Sequence, residues 1–100
     1  MGNLKAALPL YTRALEIREA VLGPRHPDTA ESLYSLGQLH IVMGNHKAAL
    51  PLETRALEIR EAVLGLRHPD TAASLYSLGL LHEDMGNHKA ALLLYTKASL

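Results

Sequence analysis

Between residues 26 and 45 the chain reads "HPDTAESLYSLGQLHIVMGN", and Ala30, Leu33, Leu36, Gly37 and His40 recur three and four apart, the spacing of one helix face. Pro27 suits a first helical turn, and Asp28 followed by Glu31 has the spacing of a capping box, so a helix is predicted to start near residue 28. Gly44 can take the left-handed conformation that stops it, and Asn45 is placed to cap the next helix. The next stretch, "HKAALPLETRALEIREAVLG", puts Ala49, Leu50, Leu52, Ala56, Leu57, Ile59, Val63 and Leu64 on a broad apolar face and ends at Gly65. So short a connection makes the two helices antiparallel. Pro51 lies inside the second helix and Pro9 inside its earlier counterpart. Each removes a backbone hydrogen bond and is expected to bend the first turns, which Leu93 in the third copy should not do.

The same phrases recur. "MGNHKAAL" stands at residues 43–50 and 85–92, and "MGNLKAAL" opens the chain. Residues 2–43 set against 44–85 differ at seven positions: Leu4/His46, Tyr11/Glu53, Pro24/Leu66, Glu31/Ala73, Gln38/Leu80, Ile41/Glu83 and Val42/Asp84. A fixed period of this kind signals a stacked array in which each unit hides its apolar face only against its neighbours. The predicted organisation is one domain of five helices: a partial repeat at 1–23 holding a second-type helix (3–22), a full repeat at 24–65, and a repeat at 66–100 truncated in its last helix. The opening Met-Gly-Asn-Leu-Lys-Ala also resembles a myristoylation signal, but Ala6 stands where Ser or Thr is expected. The return of Met-Gly-Asn at residues 43 and 85 assigns the phrase to the repeat instead.

Leu33, Leu36, Gly37, His40, Ala49 and Glu53 in one unit, and Leu75, Leu78, Gly79, His82, Ala91 and Tyr95 in the next, follow a pattern of bulky residue, Leu-Gly, aromatic, Ala and second aromatic. On these residues the whole chain resembles the tetratricopeptide repeat family. The 42-residue length, the "RALEIREAVLG" helix and the "HPDTA" linker resemble its kinesin light chain-like subtype. The resemblance implies an all-α fold of antiparallel helix pairs stacked in a right-handed superhelical solenoid, with first-type helices lining a concave surface along which peptides lie. Leu33, His40 and Glu53 depart from the family's bulky aromatics. A carboxylate buried without a partner costs several kcal/mol, so Glu53 is expected to reach solvent or a cation. Tyr34, Ser35 and Gln38 replace the Lys and Asn pattern with which some relatives clamp a terminal carboxylate. Tyr34-Ser35 and Tyr76-Ser77 replace the Asn pairs of kinesin light chain grooves, so cargo recognition does not carry over.

Opposite the core face, the first-type helices carry Glu31, Tyr34, Ser35, Gln38, Ile41 and Val42, and then Ala73, Tyr76, Ser77, Leu80, Glu83 and Asp84. Four of the seven differences between copies fall on this stripe. It is the candidate binding groove, and its mixture of apolar side chains, phenols and carboxylates suits a peptide with an apolar anchor and a Lys or Arg. Neutral drift at exposed positions accounts for the same variation equally well.

Composition narrows the alternatives. Ten basic and ten acidic residues balance, and no basic stripe with interleaved aromatics exists, which argues against nucleic acid and acidic lipid as partners. No apolar run approaches the ~20 residues of a membrane span, and cysteine is absent, so a soluble, cytoplasmic protein without disulfides is expected. The six histidines, including His82 and His88 near Glu83 and Asp84, sit at repeat positions that read as packing, capping and linker roles, so no metal is expected. Glu16, Glu19, Glu58 and Glu61 are interspersed with Arg13, Arg18, Arg55 and Arg60 and read as a solvated face. With no phosphate loop, no cysteine nucleophile and no assembled set of catalytic roles, neither an enzyme nor a cofactor is expected.

The expected function is therefore a non-enzymatic protein–protein interaction scaffold. The alternative is a self-assembling module: the first helix lacks a first-type partner, the last is truncated, and neither end carries a polar capping segment. Nearly interchangeable units then favour a homo-oligomer, either a head-to-tail stack or a dimer that swaps helices through the linkers at 23–28 or 65–70.

Overall fold

The computed structural model describes residues 3–100; the Met1–Gly2 part of the myristoylation-like phrase lies outside the described residues. Five helices follow in order: α1 (Leu4–Leu22), α2 (Pro27–Val42), α3 (His46–Leu64), α4 (Pro69–Asp84) and α5 (His88–Ala98). Among the described residues there is no strand. Each helix packs chiefly on the next in sequence, the arrangement of a stack rather than a closed bundle. The molecule measures 34 × 29 × 21 Å.

The first-type helices α2 and α4 begin one residue earlier than expected, for a reason visible at their caps. His26 Nδ1 accepts from the Asp28 amide at 3.0 Å, and His68 Nδ1 does the same for Asp70. The imidazole thus occupies the position assigned to Asp28, and Pro27 and Pro69 open the helices. Asp28 lies in the first turn, where its charge favours the helix dipole, and Glu31 turns to Arg18 at 2.9 Å instead of closing a capping box. Asn45 makes no side-chain cap either; its amide lies 3.5 Å from His40 Nδ1. Only α1 shows the expected asparagine cap, Asn3 Oδ1 accepting from the Ala6 amide at 3.2 Å. Gly44, at φ 81°, ends α2 as expected. Helices α1 and α3 run unbroken through Pro9 and Pro51.

Helix α3 is the hub of the core. One side gives Ala56 and Ile59 to a cluster with Leu15, Ala30, Leu33 and Leu36. The other gives Ala49 and Leu57 to a second cluster with Leu75, Leu78 and Leu81. The outer helix α1 shows what a missing neighbour does: Ile59 is 4% exposed, while its equivalent Ile17 is 50% exposed in a nearly identical helix. Burial here is a property of the stack, not of the helix.

Two ion pairs repeat with the units along the second-type helices: Arg55 to Glu19 at 3.0 Å and Lys97 to Glu61 at 2.7 Å. Glu19 and Glu61, expected on a solvated face, therefore bridge consecutive second-type helices. Such partly exposed pairs each contribute up to about 1 kcal/mol.

Candidate functional site

The stripe divides into side chains that face solvent and side chains absorbed by the stack. Val42, Leu80 and Tyr76 are 67%, 57% and 48% exposed, and Glu31, Glu83 and Asp84 are exposed beside them. Tyr34, Ser35, Gln38, Ile41 and Ala73 are half-buried, and Ser77, expected at the surface, is buried. Ser77 sinks because Gln38 reaches from α2 to its hydroxyl, joining the two first-type helices across the stripe. Ile41 turns to the second core cluster and Tyr34 to the first.

Beneath the stripe lies Glu53. The sequence places it in solvent or against a cation, and the structure corrects that: its side chain has no exposed surface and forms no salt bridge among the described residues. It packs directly on Gly37 of α2, whose missing side chain makes the room; a Cβ there would overlap the carboxylate. Gln38 Nε2 donates to Glu53 Oε2 at 3.1 Å, while Oε1 has no hydrogen-bond partner among the described residues. Burial pushes this carboxyl up to about 7, against the opposing pull of the Gln38 hydrogen bond, the Arg60 charge and the Ser77 hydroxyl. The signal that could have revealed this was the glycine opposite: a residue that fills the family's second aromatic position against Leu-Gly is buried whatever its polarity.

Arg60, also missed from sequence, is almost fully buried. It donates to the Asp70 carbonyl at 3.2 Å and the Ser74 hydroxyl at 3.0 Å, and its guanidinium lies 4.7 Å over the Tyr34 ring. It thereby ties α2 to α4 through α3. The Tyr34 hydroxyl is raised above its ordinary pKa by burial and by the Glu53 charge, with Arg60 opposing.

In the following unit Tyr95 fills the place of Glu53. Its ring lies against Gly79, where a Cβ would stand 2.6 Å from a ring carbon, and 5.9 Å from the Tyr76 ring centroid. Its hydroxyl donates to Glu83 Oε1 at 2.6 Å, which pushes the phenol up to about 12. Asp84, the other carboxylate of this end, lies 3.5 Å from His46 Nε2.

Open hollows flank the stripe on the α1 side, one lined by Tyr11, Ala14, Arg18, Glu31, Ser32 and Ser35 and another by Tyr11, Tyr34, Gln38 and Val42. Both are shallow clefts suited to side chains of a polypeptide rather than to an enclosed small molecule. Among the described residues no set of three His, Asp or Glu side chains converges as metal ligands. No helix among them is long and apolar enough to cross a membrane.

Among solved structures, the fold is similar to BtubC (BKLC) from P. vanneervenii, with a TM-score of 0.89, 20% identity, and 97% of this chain covered against 38% of the other. It is equally similar to a putative kinesin light chain with nearly identical TPR-like repeats from Podosopora anserina, at TM-score 0.89, 23% identity and coverage of 97% and 46%. The chain thus spans less than half the length of either protein, and the likeness is one of fold: kinesin light chain-like helix pairs. Comparison with curated proteins gave no significant match. The profile of the tetratricopeptide repeat matches residues 1–62 and again 41–99, which together take in nearly the whole chain. The chain belongs to the tetratricopeptide repeat family.

Proposed function

We propose that the chain is a non-enzymatic scaffold that binds a peptide or protein segment along the face of its first-type helices. Family membership supports the general role, since tetratricopeptide repeats generally serve protein interaction. The observation that carries the finer reading is the exposure of Val42, Tyr76 and Leu80 on one stripe, next to the carboxylates Glu83 and Asp84. Large apolar side chains left in solvent beside like charges form the anchor-and-rim pattern of an interaction surface. The segment that complements it has an apolar anchor and a nearby Lys or Arg. Lacking cysteine, the fold does not depend on oxidation, which supports a cytoplasmic setting.

The test is titration of a peptide containing Leu or Ile beside Lys or Arg against the chain and against a Glu83→Lys/Asp84→Lys variant. Weaker binding and a flatter salt dependence are expected of the variant. Unchanged affinity and unchanged salt dependence remove the acidic end from the site.

One observation favours self-association as a second reading. The outer helices leave Leu10, Ile17 and Val21 of α1 and Leu92 and Leu93 of α5 exposed. A second copy that covered the α1 face would bury Ile17 as its counterpart Ile59 is buried on α3. Sedimentation across a concentration series checks it, a chain that stays monomeric at high concentration counting against it.

A further inference from the structure

We infer that two of the differences between the copies, Gln38/Leu80 and Ile41/Glu83, are matched to the Glu53/Tyr95 difference between α3 and α5 and fix which second-type helix seats on which first-type helix. Seats α2 and α4 share the same floor, Leu36-Gly37 and Leu78-Gly79, so shape alone does not tell them apart. The occupants are also alike: over the eleven residues of α5, it differs from α3 only at Pro51/Leu93, Glu53/Tyr95 and Arg55/Lys97. What differs is chemistry at the point of contact. Seat α2 offers the Gln38 amide, which donates to Glu53 at 3.1 Å, and Ile41, which carries no charge. Seat α4 offers Leu80, which has no donor, and Glu83, which accepts the Tyr95 hydroxyl at 2.6 Å.

Exchanging the occupants breaks both sets. Glu53 on seat α4 would lose its amide donor and meet the carboxylate of Glu83. A buried acceptor stripped of its donor and placed near a like charge is among the costliest defects in a protein interior. A tyrosine on seat α2, whether Tyr95 or Tyr11, would leave Gln38 without its carboxylate and find Ile41 where its hydroxyl needs an acceptor. Two of the seven differences, Gln38/Leu80 and Ile41/Glu83, are thereby matched to the Glu53/Tyr95 difference between the occupants rather than independent drift. In an array whose apolar faces are interchangeable, this set supplies the register, as a single buried polar residue does in some coiled coils.

The experiment is a pair of mutant cycles read by urea unfolding of the full chain. Tyr95→Glu is made in the native background and in Leu80→Gln/Glu83→Ile; Glu53→Tyr is made in the native background and in Gln38→Leu/Ile41→Glu. Because coupling is the difference between backgrounds, the sign of each single effect does not matter. The expected result in both cycles is that the matched background relieves the substitution by at least tenfold in the unfolding equilibrium constant, about 1.4 kcal/mol. If a mismatched variant fails to fold, recovery of folding in its matched background is the same result in extreme form. Effects that agree within a factor of two between backgrounds, or matched variants that fold no better than mismatched ones, overturn the inference.

Discussion

Glu53 makes the sharpest quantitative prediction. Its carboxyl moves from 4.5 to about 7 on folding, so the folded chain holds this proton more tightly than the unfolded chain does. Linkage then fixes the sign: the group's contribution to stability is complete below about pH 4.5 and is lost as pH rises through about 7, the reverse of an ordinary salt-bridged carboxylate. At 1.36 kcal/mol per pH unit the full loss is ~3 kcal/mol, most of it falling between pH 5 and pH 8. For a domain whose total stability is of order 5–15 kcal/mol, that is a large share. The assay is urea denaturation followed by circular dichroism at several pH values and constant ionic strength, for the native chain and for Glu53→Gln. Glutamine keeps an acceptor for Gln38 but carries no charge at any pH. The informative quantity is the native-minus-variant difference, in which every group other than Glu53 cancels. That difference should fall by about 2–3 kcal/mol from pH 5 to pH 8. A difference independent of pH would falsify the claim that this carboxylate is buried without sufficient compensation.

Ile59→Ala should cost ~2–4 kcal/mol and Ile17→Ala under ~1 kcal/mol, although both sit in the same local sequence, because only the former is covered; equal costs in chemical denaturation would contradict the stack. Leu33→Ala and Leu75→Ala, both fully buried, should each lose ~2–5 kcal/mol by the same measurement. Gly79→Ala places a methyl against the Tyr95 ring and should lower the melting temperature, whereas Gly79→Ala with Tyr95→Leu should recover much of the loss. Arg60→Met keeps bulk but removes two hydrogen bonds and the charge over Tyr34, and is expected to destabilise by ~1–3 kcal/mol.

The repeat period made the helices and their stacking legible in the sequence, because the two-copy comparison states directly which faces must be equivalent. Element ends were less accessible. Asp28 and His26 are both able to cap, and only the fixed path of the linker decides that the imidazole takes the amide. Periodicity placed Gln38, Ser77 and Ile41 on an outer stripe, but it describes an isolated helix and cannot see Gln38 reaching to Ser77 or Ile41 packing against the second core cluster. Glu53 is the most instructive case: its charge argued for solvent, while its register against Gly37 argued for burial, and packing against the glycine won. The stripe's variation looked like a recognition surface left free to change. In three dimensions Glu31, Gln38, Glu83 and Asp84 each have an internal partner, Arg18, Glu53, Tyr95 and His46, so part of that variation belongs to the fold itself.

Partners are proposed to lie on the face of the first-type helices. Amide chemical shifts recorded while the Leu- and Lys-containing peptide is titrated in test this most directly. Perturbations are expected to concentrate between Tyr34 and Val42 and between Tyr76 and Asp84, with the second-type helices little changed. Perturbations confined to the outer faces of α1 and α5, or none at saturating peptide, would contradict it.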